Sequence, residues 1–215
     1  CITLCEGENR IQLAFVERLG ELLARVEKEC DGAGALVIAG EGKFFSNGLD
    51  LAWLASASPG DQQRFARDAM QLMGRIATFP APTVAALNGH CFAAGALLAL
   101  ACDFRVMRED RGWICFPEVD ISVPMPRLAM AVLRSKLPPA TLRDAILTGR
   151  RYSAAEAVAA GLADSTATAG ELQQRATQLA SNLADKPRGS FAALKRALYA
   201  EVLELLAPGG AEGGG

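Results

Sequence analysis

TVAALNGHCFAAGALLALACDFR, Thr83 to Arg105, decides the fold. Thr83 to Leu87 is a short apolar run of strand character, Asn88-Gly89 turns the chain, and Ala96 to Ala101 reads as a buried helix. Ala93, Ala94 and Gly95 stand where that helix begins. The first amides of a helix have no acceptor within it and lie at the positive end of its dipole, so small residues there let an oxygen anion approach the backbone. Half of an oxyanion site is one reading. Tight strand-to-helix packing, which also favours Ala and Gly, is the other, and this stretch alone leaves both open.

On the N-terminal side, Cys1 to Leu4 reads as the end of a strand. Asn9 to Lys28 has the spacing of a helix, with Ile11, Phe15, Leu19, Leu22, Leu23 and Val26 on its apolar face. Asp31 to Gly34 breaks it, and Ala35 to Ala39 is short, apolar and bounded by glycine, a fully buried strand. GEGKFFSNGLDL, Gly40 to Leu51, reads as a loop. It is not a nucleotide loop: Phe45 stands where G-x-G-x-x-G needs its third glycine, and Gly42-Lys43 lacks the P-loop spacing. Nor is Ser46 the centre of a G-x-S-x-G elbow, because Phe44 precedes it by two. Beyond Pro59-Gly60, Asp61 caps a helix with Phe65, Ala69, Leu72, Met73 and Ile76 on its apolar side, and Phe79-Pro80-Ala81-Pro82 ends it.

On the C-terminal side, Asp103 to Met107 and Trp113 to Phe116 read as further strands, and strands alternating with helices indicate an α/β domain. Glu118 follows directly, ahead of the apolar run Ile121 to Met125. A carboxylate partly desolvated there has its pKa raised and suits acid/base work; an ordinary exposed loop acid is the alternative. His90, the one histidine of the chain, sits near a turn, where a packing role is weighed against a base. Met125 to Lys136, Pro138 to Leu147 and Ser153 to Ala160 read as helices, Gly161 to Asp164 as a return strand, and Glu171 to Leu183 and Pro187 to Leu206 as closing amphipathic helices. Phe191, Leu194, Leu198, Val202 and Leu205 form a stripe on the last of these, for core or subunit contact.

With 215 residues and no internal repeat or linker, one domain is the simplest division: a core over about 1–135, a helical C-terminal part over about 136–206, and a flexible Gly-rich tail over 207–215. A net charge of -2 and 51% hydrophobic residues point away from disorder and from nucleic acid. The longest apolar run, around Cys91 to Cys102, is shorter than the roughly 20 residues of a membrane span, so no membrane partner is expected. The six cysteines form no C-x-x-C pair, and with one histidine they make no metal set; they read as thiols of a reducing compartment. The chain opens at Cys1 rather than Met, so no address signal is read from it.

Four segments resemble the crotonase superfamily, the enoyl-CoA hydratases and isomerases: GKFFSNGLDL (Gly42 to Leu51), NGHCFAAGALLALACDFR (Asn88 to Arg105), FPEVDI (Phe116 to Ile121) and TGRRYSAAEAVAAGLAD (Thr148 to Asp164). They occur in family order and together span most of the chain. The resemblance implies a crotonase-like spiral of ββα units, its first strands truncated here, with C-terminal helices that form a homotrimer or a dimer of trimers. It implies an acyl-CoA thioester as substrate, with coenzyme A arriving on it and no separate cofactor. By motif position the oxyanion amides are those of Leu49 and Ala94, and Ser46, Asn47, Gly48, Leu49 and Asp50 line the substrate groove, although Asp50 is also a candidate for a structural role. Hydratases of the family carry two glutamates. Here Leu97 stands at the first position and only Glu118 remains, which resembles the Δ3,Δ2-enoyl-CoA isomerases of fatty acid beta-oxidation. One base suffices to move a proton from C2 to C4. Asp120 is a candidate helper or competitor for Glu118, and Trp53, Phe65 and Met125 are expected to shape the acyl pocket. Another crotonase reaction (hydration, thioester hydrolysis or decarboxylation) and a non-catalytic acyl-CoA-binding module are the alternatives. The resemblance suits a peroxisome, or a mitochondrion, in a eukaryote and the cytoplasm in a bacterium.

Overall fold

The computed structural model describes residues 1–29 and 34–207, and the chain in it winds as a spiral whose successive turns feed two sheets. β1 (Ile2–Leu4) is followed by α1 (Leu13–Glu29). One pattern then repeats. β2 (Leu36–Gly40) and β3 (Phe44–Ser46) lead to α2 (Leu51–Ser56) and α3 (Pro59–Ala77). β4 (Thr83–Leu87) and β5 (His90–Phe92) lead to α4 (Ala94–Ala101). β6 (Phe104–Arg108) and β7 (Ile114–Cys115) lead through a 3₁₀ turn, Pro117–Val119, to α5 (Arg127–Lys136), α6 (Pro139–Thr148) and α7 (Ala154–Ala159). β8 (Ser165–Ala167), α8 (Leu172–Ala184), α9 (Arg188–Leu198) and α10 (Ala200–Leu206) complete the described chain.

The first strand of each pair enters a five-stranded parallel sheet, β1-β2-β4-β6-β8, and the second a three-stranded parallel sheet, β3-β5-β7. β4 is fully buried because both its faces are covered. Ala85 and Leu87 face the main core, where α3, α4 and α5 pack, while Val84 and Ala86 face α8 through Leu172, Ala176 and Ala180. The Asn88-Gly89 turn carries the chain from one sheet to the other. A Cβ on Gly89 would lie 2.0 Å from the Lys43 carbonyl oxygen, so no other residue passes there.

Several elements differ from the sequence reading. The segment read as a loop, Gly40 to Leu51, contains β3, and α2 starts at its end. Ser58 rather than Asp61 caps α3: the Ser58 hydroxyl accepts from the Asp61 N–H (3.1 Å). α1 begins at Leu13, because Asn9 is a buried turn residue whose amide donates to the carbonyls of Leu4, Phe44 and Phe45 (3.1–3.2 Å). The return strand lies at Ser165–Ala167, after a turn in which Gly161 has φ +77, and it pairs with β6. The last helix is two, separated at Tyr199. The break divides the apolar stripe: Val202 is buried, whereas Leu194 and Leu198 are 71% and 66% exposed. The expected break at Asp31 to Ala33, Cys30 and the tail from 208 lie outside the described residues. Among those described, no helix is long and apolar enough to cross a membrane; Cys91, Cys102 and Cys115 are buried free thiols, and Cys1 and Cys5 exposed ones.

A buried ionic cluster ties the C-terminal helices to the central strand. Asp103 Oδ2 accepts from the Thr83 N–H (2.9 Å), Thr83 Oγ1 (3.0 Å) and Lys195 Nζ of α9 (2.9 Å). Lys136 at the end of α5 approaches the other carboxylate oxygen at 3.7 Å and donates to the Tyr199 hydroxyl (2.6 Å). Both lysine side chains are about 95% buried. Desolvation pulls Lys136 down to about 8 although Asp103 opposes it.

Candidate active site

β3 and β5 run parallel and adjacent, so the loops that follow them leave the small sheet at one edge. After β3, the buried Ser46 hydroxyl donates to the Asn9 carbonyl (2.7 Å) and accepts from the Gly48 N–H (3.3 Å). Gly48 takes φ +78, which glycine adopts without penalty. Its carbonyl accepts from the Ile11 N–H (2.8 Å), and the Asp50 N–H donates to the Ile11 carbonyl (3.0 Å). A parallel bridge of this kind spends the groups on either side of Leu49 and turns the Leu49 N–H away from Ile11.

After β5, a single residue converts strand to helix. Ala93 has φ 50 and ψ -125, a conformation that costs a residue with a Cβ on the order of 1–3 kcal/mol. It is held from both sides: its N–H donates to the Cys115 carbonyl (2.9 Å) and its carbonyl accepts from the Leu97 N–H (3.0 Å). α4 then begins at Ala94, whose N–H belongs to the first turn and has no acceptor within the helix. The two loops meet through glycines. A Cβ on Gly48 would lie 2.9 Å from the Ala93 Cβ, and one on Gly95 would lie 2.6 Å from the Ser46 carbonyl oxygen.

Leu49, Ala93 and Ala94 line one cavity of about 420 Å³. Its walls are apolar, including Leu51, Met70, Leu97, Ile121, Met125 and Ala129, and its charged lining residues are Arg10 and Glu118. The 3₁₀ turn at Pro117 presents Glu118, whose carbonyl accepts from the Val123 N–H (3.0 Å). Glu118 Oε2 is buried without a hydrogen-bond partner, and burial raises its pKa. Partial burial of this kind disfavours the charged form of a carboxyl, and such a group suits proton transfer better than a fixed charge. Elsewhere on the lining, the Arg10 guanidinium pairs with Glu8 (2.7 Å), and Asn47 Nδ2 donates to the same carboxylate (2.8 Å). Those two hydrogen bonds, Asn47's foremost, hold the Glu8 carboxyl below its usual range.

The structure thus brings Asn47, Leu49, Ala94 and Glu118 to one cavity and gives other sequence candidates structural work. Ser46 shapes the loop from beneath, and Gly48 provides the close approach to Ala93. Asp50 caps α2, its Oδ1 accepting from the Trp53 N–H (3.0 Å). Asp120 faces the end of α6, where a Cβ on Gly149 would lie 2.4 Å from its Oδ2, and it does not line the cavity. Of the residues expected to shape an acyl pocket, Met125 lines it, while Trp53 and Phe65 pack edge-to-face on one another, 5.2 Å between centroids. His90 lies among Phe44, Phe92 and Trp113, 5.0–5.2 Å between centroids, outside the cavity lining. Burial, then Lys43, Arg111 and Arg151, lower its pKa, so it packs as a neutral ring. Arg10, Met70 and Phe92 also line the cavity and were not singled out in the sequence. The one signal for Arg10 was its place between Asn9, which bonds to β3, and Ile11, which bridges to Leu49.

The family described as enoyl-CoA hydratase/isomerase matches residues 2–208 of the chain. Enoyl-CoA delta isomerase 3 of Arabidopsis thaliana is 33% identical over 209 residues, covering 94% of this chain and 88% of that protein. The peroxisomal enoyl-CoA delta isomerase 2 of the same plant is 34% identical over 211 residues, with the same coverage. Among solved structures, an enoyl-CoA hydratase from Mycobacterium ulcerans Agy99 superposes with a TM-score of 0.87 at 28% identity, over 95% of this chain and 90% of that one. A structure described as an enoyl-CoA isomerase of M. tuberculosis gives 0.84 at 27% identity, over 94% and 88%. The two-sheet spiral, the paired loops and these matches agree, and the chain belongs to the enoyl-CoA hydratase/isomerase family, the crotonases.

Proposed function

We propose that this enzyme is a Δ3,Δ2-enoyl-CoA isomerase working by a single-carboxylate proton shuttle. The observation that carries the reading is Glu118, the one carboxylate lining an apolar cavity, with a buried oxygen left without a partner and Leu97 where a second acid would stand. Ionised Glu118 takes a proton from C2 of a 3-enoyl thioester. The C2–H electron pair moves into a dienolate whose charge collects on the thioester oxygen, and the amides of Leu49 and Ala94 donate to it. Each such donor is worth about 3 kcal/mol in the transition state. The protonated Glu118 then returns the proton to C4, the double bond closes between C2 and C3, and the carboxylate is regenerated. No atom is gained or lost. Coenzyme A enters as part of the substrate, and no resident cofactor is called for.

Arg10 and Asn47, lining residues that share the Glu8 carboxylate, suit the polar part of the thioester, and the apolar walls suit its acyl chain. A place in fatty acid beta-oxidation follows from the chemistry, since conjugated 2-enoyl thioesters are what a hydration step consumes. Two Arabidopsis relatives are named peroxisomal; the same compartment suits this enzyme in a eukaryote, with the mitochondrion a second site, and the cytoplasm suits it in a bacterium. Exposed Leu147, Leu194 and Leu198 favour assembly through the C-terminal helices into a trimer or a dimer of trimers, and sedimentation equilibrium tests this. The activity is tested by incubation with a 3-enoyl-CoA, following the absorbance of the conjugated thioester and identifying the product, beside a 2-enoyl-CoA to detect hydration. Conversion of the first without hydration of the second supports an isomerase. Hydration as the principal reaction defeats it.

A further inference from the structure

We infer that Ala93 is a positioning residue whose methyl group, held at positive φ, sets the separation of the Leu49 and Ala94 amides. This rests on the proposed reaction, in which those amides form the oxyanion pair. Each amide lies one residue beyond the contact between its loop and the other: Leu49 follows Gly48, Ala94 follows Ala93, and the Ala93 methyl sits 2.9 Å from where a Gly48 Cβ would be. The Phe92 carbonyl oxygen lies 3.0 Å from the same point, so the methyl is the one side-chain group in this contact, while Gly48 contributes its lack of a side chain. Glycine takes φ 50 without strain, so the turn itself does not call for alanine. The Ala93 backbone is clamped by the Cys115 carbonyl on one side and the Leu97 N–H on the other, so the strained conformation cannot relax by shifting the strand or the helix. Strain kept at a cavity wall and imposed from both sides marks a place where geometry is being enforced. The second contact between the loops, Gly95 on Ser46, involves neither of the residues that directly precede the two amides.

The test is Ala93→Gly, read by the carbonyl stretch of a saturated acyl-CoA labelled with carbon-13 at C1, which reports hydrogen bonds to the thioester oxygen without turnover. The wild-type protein lowers the stretch on binding. Ala93→Gly lowers it by about half as much or less and loses about ten- to a hundredfold in kcat on a 3-enoyl-CoA, with the unfolding midpoint unchanged or raised. Ala93→Ser, which keeps a Cβ at the same place, restores most of the shift. An Ala93→Gly protein with the full shift and full kcat overturns the inference, whatever its stability. A wild-type protein that binds the thioester with no shift removes the donor pair and this inference with it. A wild-type shift without isomerisation of the 3-enoyl-CoA defeats the proposed reaction alone, and the comparison of shifts still decides the role of Ala93.

Discussion

Glu118 combines a buried oxygen without a partner with a place on an apolar cavity wall, and both features bear on its proton. In the proposed reaction its conjugate base is the active form, so the rate is expected to rise with pH through a pKa above the ordinary 4.5. Stability runs the other way. Between the ordinary value and the raised one, the folded protein keeps a proton that the unfolded chain has released, so stability falls as pH rises across that window. Glu118→Gln therefore loses about 10²–10⁴-fold in kcat while its unfolding midpoint at pH 7 rises, which calorimetry checks; a lower midpoint contradicts the desolvated carboxylate. Arg10 is the other charged residue of the lining. Arg10→Ala is expected to raise KM for the thioester by about fivefold at low salt with kcat nearly unchanged, an effect that fades as salt is added. The sequence placed Glu118 beside an apolar run, but it did not separate a desolvated base from a solvated loop acid. That difference depends on residues such as Leu97 and Met125, 21 before and 7 after, which line the same cavity in three dimensions. Arg10 was illegible for the same reason, since Glu8 meets Asn47 only once the turn at Asn9 has been hydrogen-bonded to β3.

At the scale of elements, the strand-turn-helix run from Thr83 was readable because its periodicity, its Asn-Gly and its small residues all agree. The strands of the small sheet were harder. β3 and β5 have three residues each, too few to establish alternation, and β3 sits among glycines that signal a loop. The glycines that hid β3 are what make the crossing possible. Gly89→Ala would drive a Cβ to 2.0 Å from the Lys43 carbonyl, backbone that cannot swing aside. It should cost about 3 kcal/mol or more, seen as a large fall in the urea midpoint, and a near-neutral result would contradict the packing of Gly89 on β3. Helix limits moved where a side chain decided them. Ser58 captured the start of α3 and Asn9 delayed α1, both by hydrogen bonds to groups that periodicity does not weigh.

Across the whole molecule, the spiral lays every second strand into the same sheet, so one edge of the small sheet collects loops from distant parts of the sequence. The α/β class and most strands of the five-stranded sheet were legible; the spiral of ββα units entered through the family resemblance, and the split into two parallel sheets was read from neither. The Asp103 cluster was not legible at all, because Lys136 and Lys195 read as solvated helix charges until the C-terminal helices fold back onto Thr83. Asp103→Asn leaves two buried ammonium groups without a counter-charge and should cost about 3–5 kcal/mol. Hydrogen exchange should show the loss of protection concentrated in α9 and α10, and a uniform loss would contradict the clasp. In the proposed reaction one carboxylate, set by one turn in a cavity made by the spiral, moves one proton. The most direct measurement follows a 3-enoyl-CoA with wild type and Glu118→Gln side by side, with thioester binding measured on both. Conversion to the 2-enoyl-CoA by wild type, its loss in the variant and binding kept in both is the result the account predicts. Equal conversion by the two proteins would contradict it.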